Sequence, residues 1–257
     1  MITKRTIKLV NSLADARDRR ETGLFVAEGT KCVLDVLPHF TCRYLFAEES
    51  WLDANAAAIP AAAEVVPATR GELRMMTRLM ATPPVIALFG LPPAADVDSA
   101  RPDRSLVVAL DRVQDPGNLG TIIRTCDWMG VETIVASHDC VDAFSPKVVQ
   151  STMGAIARVR VIYTDLPAFV ASLPEATEVY GTFLDGDNIY STALASAGLL
   201  VMGNEGSGIS PQVAEAVTRR LFIPPFPAGR PTSESLNVAT ATAICLSEFR
   251  SRQLRES

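Results

Sequence analysis

The chain has 257 residues, 48% of them hydrophobic and 21% charged, which is enough apolar material for one large core or two modest ones and excludes a disordered or fibrous protein. Lys and Arg total 24 against 29 Asp and Glu, a formal charge of −5, so a uniformly cationic polyanion binder is excluded while a local basic patch is not. Cys32, Cys42, Cys126, Cys140 and Cys245 form no CxxC pair, and His39 and His138 stand far apart, so neither a disulfide framework nor a metal site is expected.

The first ten residues alternate Lys and Arg with apolar side chains and lack the apolar stretch and cleavage site of a signal peptide. No run approaches the ~20 apolar residues of a membrane helix. The expectation is a reduced, cytoplasmic protein. Basic residues crowd the beginning of the chain: Lys4, Arg5, Lys8, Arg17, Arg19, Arg20 and Lys31 face only Asp15, Asp18, Glu21 and Glu28. An ordinary solvated helix face accounts for such a run, and a phosphate-contacting stretch is the alternative.

Short β-branched runs then alternate with longer helical stretches. Strands are expected at 24–27, 44–47, 64–66 and 85–89, with helices near 30–37, 50–58 and 70–80. Residues 93–104, rich in Pro and Asp and without hydrophobic period, read as a linker. Beyond it, strands are expected at 105–111, 132–137, 158–163, 178–184 and 198–203. This alternation predicts two α/β domains with mainly parallel sheets, 1–92 and 105–257. The first part carries no net charge and the second carries the whole acidic excess.

Ligands of parallel sheets collect at the carboxyl ends of strands, and three loops there stand out. The loop after 105–111 turns at Pro116 and Gly117, and a helix is expected to begin near Asn118, a good capping residue. On that helix Leu119, Ile122, Ile123, Cys126 and Met129 share one face, which aims Thr121, Arg124 and Trp128 away from the core. The loop after 198–203 holds Gly203, Gly206 and Gly208, residues that permit close approach or positive φ, around a Glu205 that contributes nothing to packing. Ser210 and Pro211 then start a helix. The third loop runs from Ile223 and Pro224 to Ser235, Leu236 and Asn237, where Ser235 and Asn237 are candidate caps of an alanine-rich helix reaching about Phe249. Ala239, Ala241 and Ala243 keep that helix slim enough for close packing by another helix or subunit. There is no GxxxxGK[ST], GxSxG or HExxH segment, and no GxGxxG after the first strand, so kinase, serine hydrolase, zinc protease and dehydrogenase readings lose their basis.

The three loops together carry NxGxxxR (Asn118, Gly120, Arg124), GNExxG (Gly203, Asn204, Glu205, Gly208) and IP followed by SLNV (Ile223, Pro224, Ser235, Leu236, Asn237, Val238). In this order they resemble the SpoU/TrmH family of SPOUT-class RNA ribose 2′-O-methyltransferases. Phe25, Glu28 and Gly29 are similar to the FxxEG segment of that family's N-terminal domain. The resemblance implies a C-terminal α/β trefoil-knot methyltransferase domain, a departure from the rule against threaded chains, behind a smaller ribosomal-protein-like α/β substrate-binding domain. It implies S-adenosylmethionine held by Gly203, Asn204, Gly208, Ile223, Pro224 and Leu236, and a homodimer in which Arg124 acts across the interface. Asn118, Glu205, Ser235 and Asn237 would arrange Arg124, the RNA phosphate and the 2′-hydroxyl. A literal general base at Arg124 would need burial or cationic surroundings, because guanidinium normally keeps its proton. Arg17, Arg19, Arg20, Lys31 and Arg124 are the expected RNA contacts, with ribosomal RNA favoured over transfer RNA and no membrane partner. Residues 225–234 are longer and richer in proline than the usual connection, and Arg230 there is either an RNA contact or simply solvated. The competing readings are a non-catalytic RNA-binding or assembly protein on the same fold, and a nucleotide enzyme with an ordinary doubly wound sheet.

Overall fold

The computed structural model describes residues 2–227 and 233–256, with the side chains of the last two helical residues left aside, so that Arg230 lies outside the described residues. In chain order come α1 (Lys4–Ser12), α2 (Ala16–Thr22), β1 (Leu24–Glu28), α3 (Thr30–Val36), β2 (Cys42–Ala47), α4 (Glu49–Asn55), β3 (Glu64–Pro67), α5 (Arg70–Met76) and β4 (Val85–Gly90). They are followed by β5 (Leu106–Leu110), α6 (Pro116–Trp128), β6 (Thr133–Ser137), α7 (Pro146–Thr152), β7 (Arg160–Thr164), α8 (Leu166–Ala171), β8 (Val179–Asn188) and β9 (Gly198–Met202). The last three are α9 (Pro211–Ala214), β10 (Arg219–Phe222) and α10 (Val238–Glu256). Two compact units result, Met1–Pro93 with Asp142–Ala157, and Ala94–Val141 with Arg158–Ser257. Among the described residues no helix is long and apolar enough to cross a membrane.

In the first unit the sheet order is β1-β4-β2-β3. Only β2 and β3 run parallel; β4 is antiparallel to both β1 and β2, so this sheet is mixed and the expectation of a mainly parallel one fails here. The registers show why: Pro67 at the end of β3 and Val85 at the start of β4 both pair with Ala47, so α5, which ends at Met76 before an extended Thr77 (φ −90°, ψ 148°), and the coil up to Pro84 bring the chain back to the end it left and β4 runs the other way. One face of the sheet buries Val26, Phe46, Ile86 and Leu88 against Val10 and Leu13 from the α1 region and Leu73 and Met76 of α5. The α3 side chains Cys32, Val33 and Val36 are also buried. The later segment Asp142–Ala157 completes this unit: Phe144 packs 4.9 Å from Phe25 and 6.0 Å from Phe40, ring centre to ring centre, and α7 rests on β1.

Asp142 also fixes Arg19. Arg19 is 2% exposed; its Nη1 donates to the carbonyls of Leu13 (2.7 Å) and Ala14 (2.9 Å), and its Nη2 and Nε bind Asp142 Oδ2 at 2.5 and 3.1 Å. Four of the five guanidinium N–H groups are thus spent inside the fold. The expectation that Arg19 contacts RNA is thereby overturned, since a guanidinium this deeply buried and held by a carboxylate and two carbonyls does not reach a phosphate. Glu28, of the FxxEG segment, is 7% exposed; its carboxylate accepts from Thr77 Oγ1, and burial pushes its pKa above the usual carboxylate value of 4.5.

The second unit is a six-stranded, wholly parallel sheet of order β10-β8-β9-β5-β6-β7. Its inner strands β5, β6 and β9 are buried at every position, as a sheet covered on both faces requires. Edge strand β10 was hidden from the sequence by Arg219 and Arg220, which stay exposed and are neutralised by Glu178 (3.3 Å) and Asp185 (2.5 Å) while Leu221 alone is buried. The last helix, α10, packs on α6, and its Phe249 meets Tyr180 edge-on at 5.0 Å. Arg250 donates to the carbonyls of Met129 (2.7 Å) and Gly130 (2.9 Å), while Arg252 donates to those of Ile189 (2.8 Å) and Thr192. The tail is thus held between the end of α6 and the segment following β8.

Two outcomes follow from the first unit. Arg19→Ala is expected to destabilise the protein by about 3 kcal/mol, since it strands Asp142 and two carbonyls, whereas Arg17→Ala, which removes only an exposed pair with Glu21, costs below about 0.5 kcal/mol; urea unfolding measures both. Glu28 binds its proton more tightly folded than unfolded, so its contribution is complete below pH 4.5 and is lost as pH rises through its elevated folded value. Glu28→Gln should therefore gain relative stability towards neutral pH and flatten that slope.

Candidate active site

The order of the six-stranded sheet reverses between β5 and β9: the chain moves outward from β5 through β6 to β7, then restarts on the other side. That places a crevice at their carboxyl ends. Leu110 pairs with Met202, so the loops beginning at Asp111 and Gly203 leave the sheet side by side. Asp111 is 3% exposed; its N–H donates to Met202 O (2.9 Å), and its Oδ2 accepts from Ser210 N (2.6 Å).

Helix α6 begins earlier than its sequence suggests. Pro116 occupies the first turn, where its missing N–H costs nothing, and Asp115 is the cap, accepting from Asn118 N at 2.9 Å. The cap therefore moves from Asn118 to Asp115, and the Asn118 side chain is left for other work. Its Nδ2 donates to Glu205 Oε1, and its Oδ1 accepts from Asn237 Nδ2 at 2.9 Å. Asn237 caps α10, its Oδ1 accepting from Ala239 N (3.0 Å) and Thr240 N (3.3 Å). The directions in this chain are fixed from one end: backbone N–H groups can only donate, so Asn237 presents oxygen to them and nitrogen to Asn118, which must then present its own nitrogen to the Glu205 carboxylate. One side chain from each of the three loops is thereby joined.

The glycine loop is built to hold Glu205 outward. Asn204 Oδ1 accepts from Gly206 N (2.9 Å) and Ser207 N (3.1 Å), and its Nδ2 donates to Arg112 O (2.9 Å), so its side chain shapes the loop. Asn204 and Gly208 close the base through paired backbone bonds of 3.1 and 2.9 Å. Gly208 has φ +66°, and a Cβ on Gly203 would lie 2.3 Å from the Gly208 carbonyl carbon, so one glycine is required for dihedral freedom and the other for close passage of the loop's own backbone.

Sequence reasoning missed Asp111 and Arg112. Arg112 sits at φ 60°, unusual for a side-chain-bearing residue; its N–H donates to Ser137 Oγ (2.9 Å) and its Nη2 to Gly208 O (3.3 Å). Its Nε lies 3.3 Å from Asp111 Oδ1, near enough for charge attraction though without hydrogen-bond geometry. An acid ending a buried strand at the switch point was the available signal for Asp111; nothing in sequence marks the left-handed Arg112.

Of the other expected residues, Ile223 and Pro224 are half-buried beyond β10, Leu236 is 45% exposed, and Ser235 is exposed with its hydroxyl outside the network among the described residues. Arg124 is exposed on α6, away from the core-facing Leu119, Ile122, Ile123 and Cys126, and Trp128 on the same outer face is 86% exposed. In the first unit, Arg17 pairs with Glu21 (2.7 Å) and Lys31 with Asp35 (3.0 Å), while Arg20 is exposed and bonds the Ala16 carbonyl.

A doubly covered parallel sheet with its site at the β5/β9 reversal and a tail packed on α6 defines a class of α/β enzymes, and comparison places the chain within it. The family model described as SpoU rRNA Methylase family matches residues 105–247, and one described as MRM3-like substrate binding domain matches 4–87. The chain belongs to the SpoU rRNA methylase family. A Bacillus subtilis protein named 23S rRNA (guanosine(2553)-2′-O)-methyltransferase is 38% identical over 146 residues, 56% of this chain and 57% of its own length. The matched stretch thus spans little more than half of that relative. Over whole chains, a TrmH-family structure from Porphyromonas gingivalis superposes with a TM-score of 0.88 at 38% identity, covering 98% of this chain and 99% of the other. An AdoMet-bound rRNA methyltransferase from Sinorhizobium meliloti superposes at 0.86 with 29% identity, covering 98% and 96%. The fold is therefore the SPOUT fold with an N-terminal substrate-binding domain, as the motifs implied.

Gly203→Ala should cost about 2 kcal/mol, because its Cβ meets backbone that cannot yield, whereas Gly206→Ala, whose nearest neighbour is 3.5 Å away, should cost well under about 1 kcal/mol. Thermal melts compare the two, and equal values would show that loop closure does not depend on close passage at Gly203.

Proposed function

We propose that this chain transfers a methyl group from S-adenosylmethionine to a ribose 2′-hydroxyl of structured RNA, ribosomal RNA rather than transfer RNA, and that it works as a cytoplasmic homodimer. The observation that carries the proposal is the Asn237–Asn118–Glu205 chain, which ties three separated loops together at the sheet's switch point. Family membership supports the chemistry, and the names of the relatives support the ribosomal substrate.

The residues fit the cofactor. The half-buried Ile223 and Pro224 and the exposed Leu236 present apolar surface beside backbone groups, the combination an adenine and ribose need. Gly203, Gly208, Ile223, Pro224 and Leu236 would hold it, and Asn204 would serve by shaping the loop. When bound, S-adenosylmethionine supplies a methyl group on a positively charged sulfur. The chain supplies position. Asn118, Glu205 and Asn237 fix the loops, Ser235 offers a hydroxyl without a partner among the described residues, and Arg124 offers a guanidinium fork suited to phosphate and hydroxyl oxygens. Trp128, one helical turn beyond Arg124, is apolar surface for a second copy to cover, which brings Arg124 to that interface.

Incubating the protein with labelled cofactor and ribosomal RNA from cells lacking the gene should transfer label to a ribose. Arg124→Ala is expected to bind cofactor as the parent does and to lose at least about 10²-fold in turnover; full activity would remove Arg124 from the mechanism. Failure of the parent protein to bind S-adenosylmethionine in a titration would favour a non-catalytic RNA-binding protein on this fold.

A further inference from the structure

The first unit pairs its cations with carboxylates unevenly. Around α2 and α3, Arg17, Arg19 and Lys31 each hold a carboxylate partner, while Arg20 bonds the Ala16 carbonyl and forms no ion pair among the described residues. On α1, on α5 and just beyond it, by contrast, Lys4, Arg5, Lys8, Arg70, Arg74 and Arg78 are exposed and form no ion pair among the described residues, Arg74 donating only to the Leu79 and Met80 carbonyls (2.8 and 3.4 Å). The two helices pack side by side on one face of the sheet, and Asn11 ties them by donating to Met75 O (3.0 Å) and accepting from Arg78 Nη2 (3.2 Å). The carboxylate of Glu72 within this layer is occupied by the Thr69 cap, accepting from both Thr69 N and Oγ1 at 2.8 Å. The face ends at Asp15 and Asp18, which line a shallow depression with Arg78.

Stability does not account for this pattern. Lys4 and Arg5 open α1, where the helix dipole is positive and acidic residues are favoured, yet the first turn of α1 contains no acid. Two exposed methionines, Met75 at 54% and Met80 at 100%, stand beside Arg74 and Arg78. Unpaired cations with exposed apolar side chains between them match a phosphate backbone carrying unstacked bases.

We infer that the outer face of α1 and α5, rather than the α2–α3 region, is where the first unit docks the RNA. This rests on the proposed function and deepens it by naming the surface that receives the substrate. The contacts are with phosphates, so they set affinity and register without reading sequence.

The test compares two charge sets in the full chain. The first is Lys4→Glu, Arg5→Glu and Lys8→Glu together; the second removes three charges from the other region, Arg17→Gln, Arg20→Gln and Lys31→Gln. Filter binding to an unmodified transcript of large-subunit ribosomal RNA is measured across salt concentrations, alongside KM and kcat for methyl transfer. The α1 set should weaken binding by about tenfold or more, flatten the slope of log affinity against log salt by about two, and raise the KM for RNA with kcat within about twofold. The second set should move the slope by less than about one. Unchanged binding in the α1 set, or a loss matched by the second set, overturns the inference. Should the reversal fail to fold in a thermal melt, Lys4→Gln, Arg5→Gln and Lys8→Gln are read in its place. If the parent binds RNA with the expected slope but transfers no methyl group, the reaction is wrong and the docking face is judged by binding alone. If the parent methylates RNA and the α1 set is unimpaired, only the docking face is wrong. A parent that does not bind RNA refutes both.

Discussion

The arrangement of the second unit depends on one ordered chain of hydrogen bonds. It starts at the unpaired N–H groups opening α10, passes through the Asn237 and Asn118 amides, and ends on the Glu205 carboxylate. Because helix N–H groups cannot accept, every later member has a single allowed orientation, and the last must be an acceptor. The same amides thus serve folding and chemistry: Asn237 caps a helix and braces a neighbour, while Asn118 is free to brace because Asp115 has taken over the cap of α6. Site geometry and helix starts cannot be altered independently here.

Behind this chain stands a second support. Asp111 reaches across to Ser210 N, and Arg112, held in a left-handed conformation, offers its carbonyl to Asn204 and its guanidinium to the Gly208 carbonyl. Glu205 therefore projects from a loop anchored at both ends. Its exposure places the carboxylate at the surface of the site without leaving it to wander, a form of preorganisation that a glycine-rich turn alone would not give.

Much of this was legible in the sequence where a residue's role is local. The buried parallel strands β5, β6 and β9 announce themselves as apolar runs, and the outward aim of Arg124 follows from helical spacing. What was not legible depends on partners far away in the chain. Arg19 looks like any basic helix residue until Asp142 closes over it from 123 residues further on. The direction of β4 depends on Val85 returning to pair with Ala47, beside the Pro67 that ends β3, and no local pattern announces that return. Strand β10 escaped notice because an edge strand needs only one buried side chain, and its two arginines mask that one.

Segment Asp142–Ala157 has a consequence of its own. The polypeptide passes from one unit to the other after Pro93, after Val141 and again after Ala157, so three covalent threads, not one hinge, join them. A piece beginning at the proline-rich connection would carry α7 and Phe144 away from β1 and Phe25, leaving an apolar ribbon on one product and a bare sheet on the other. The protein is divisible by function but not by scissors. Grafting its front half onto another enzyme would require taking along sixteen residues from the middle of the back half.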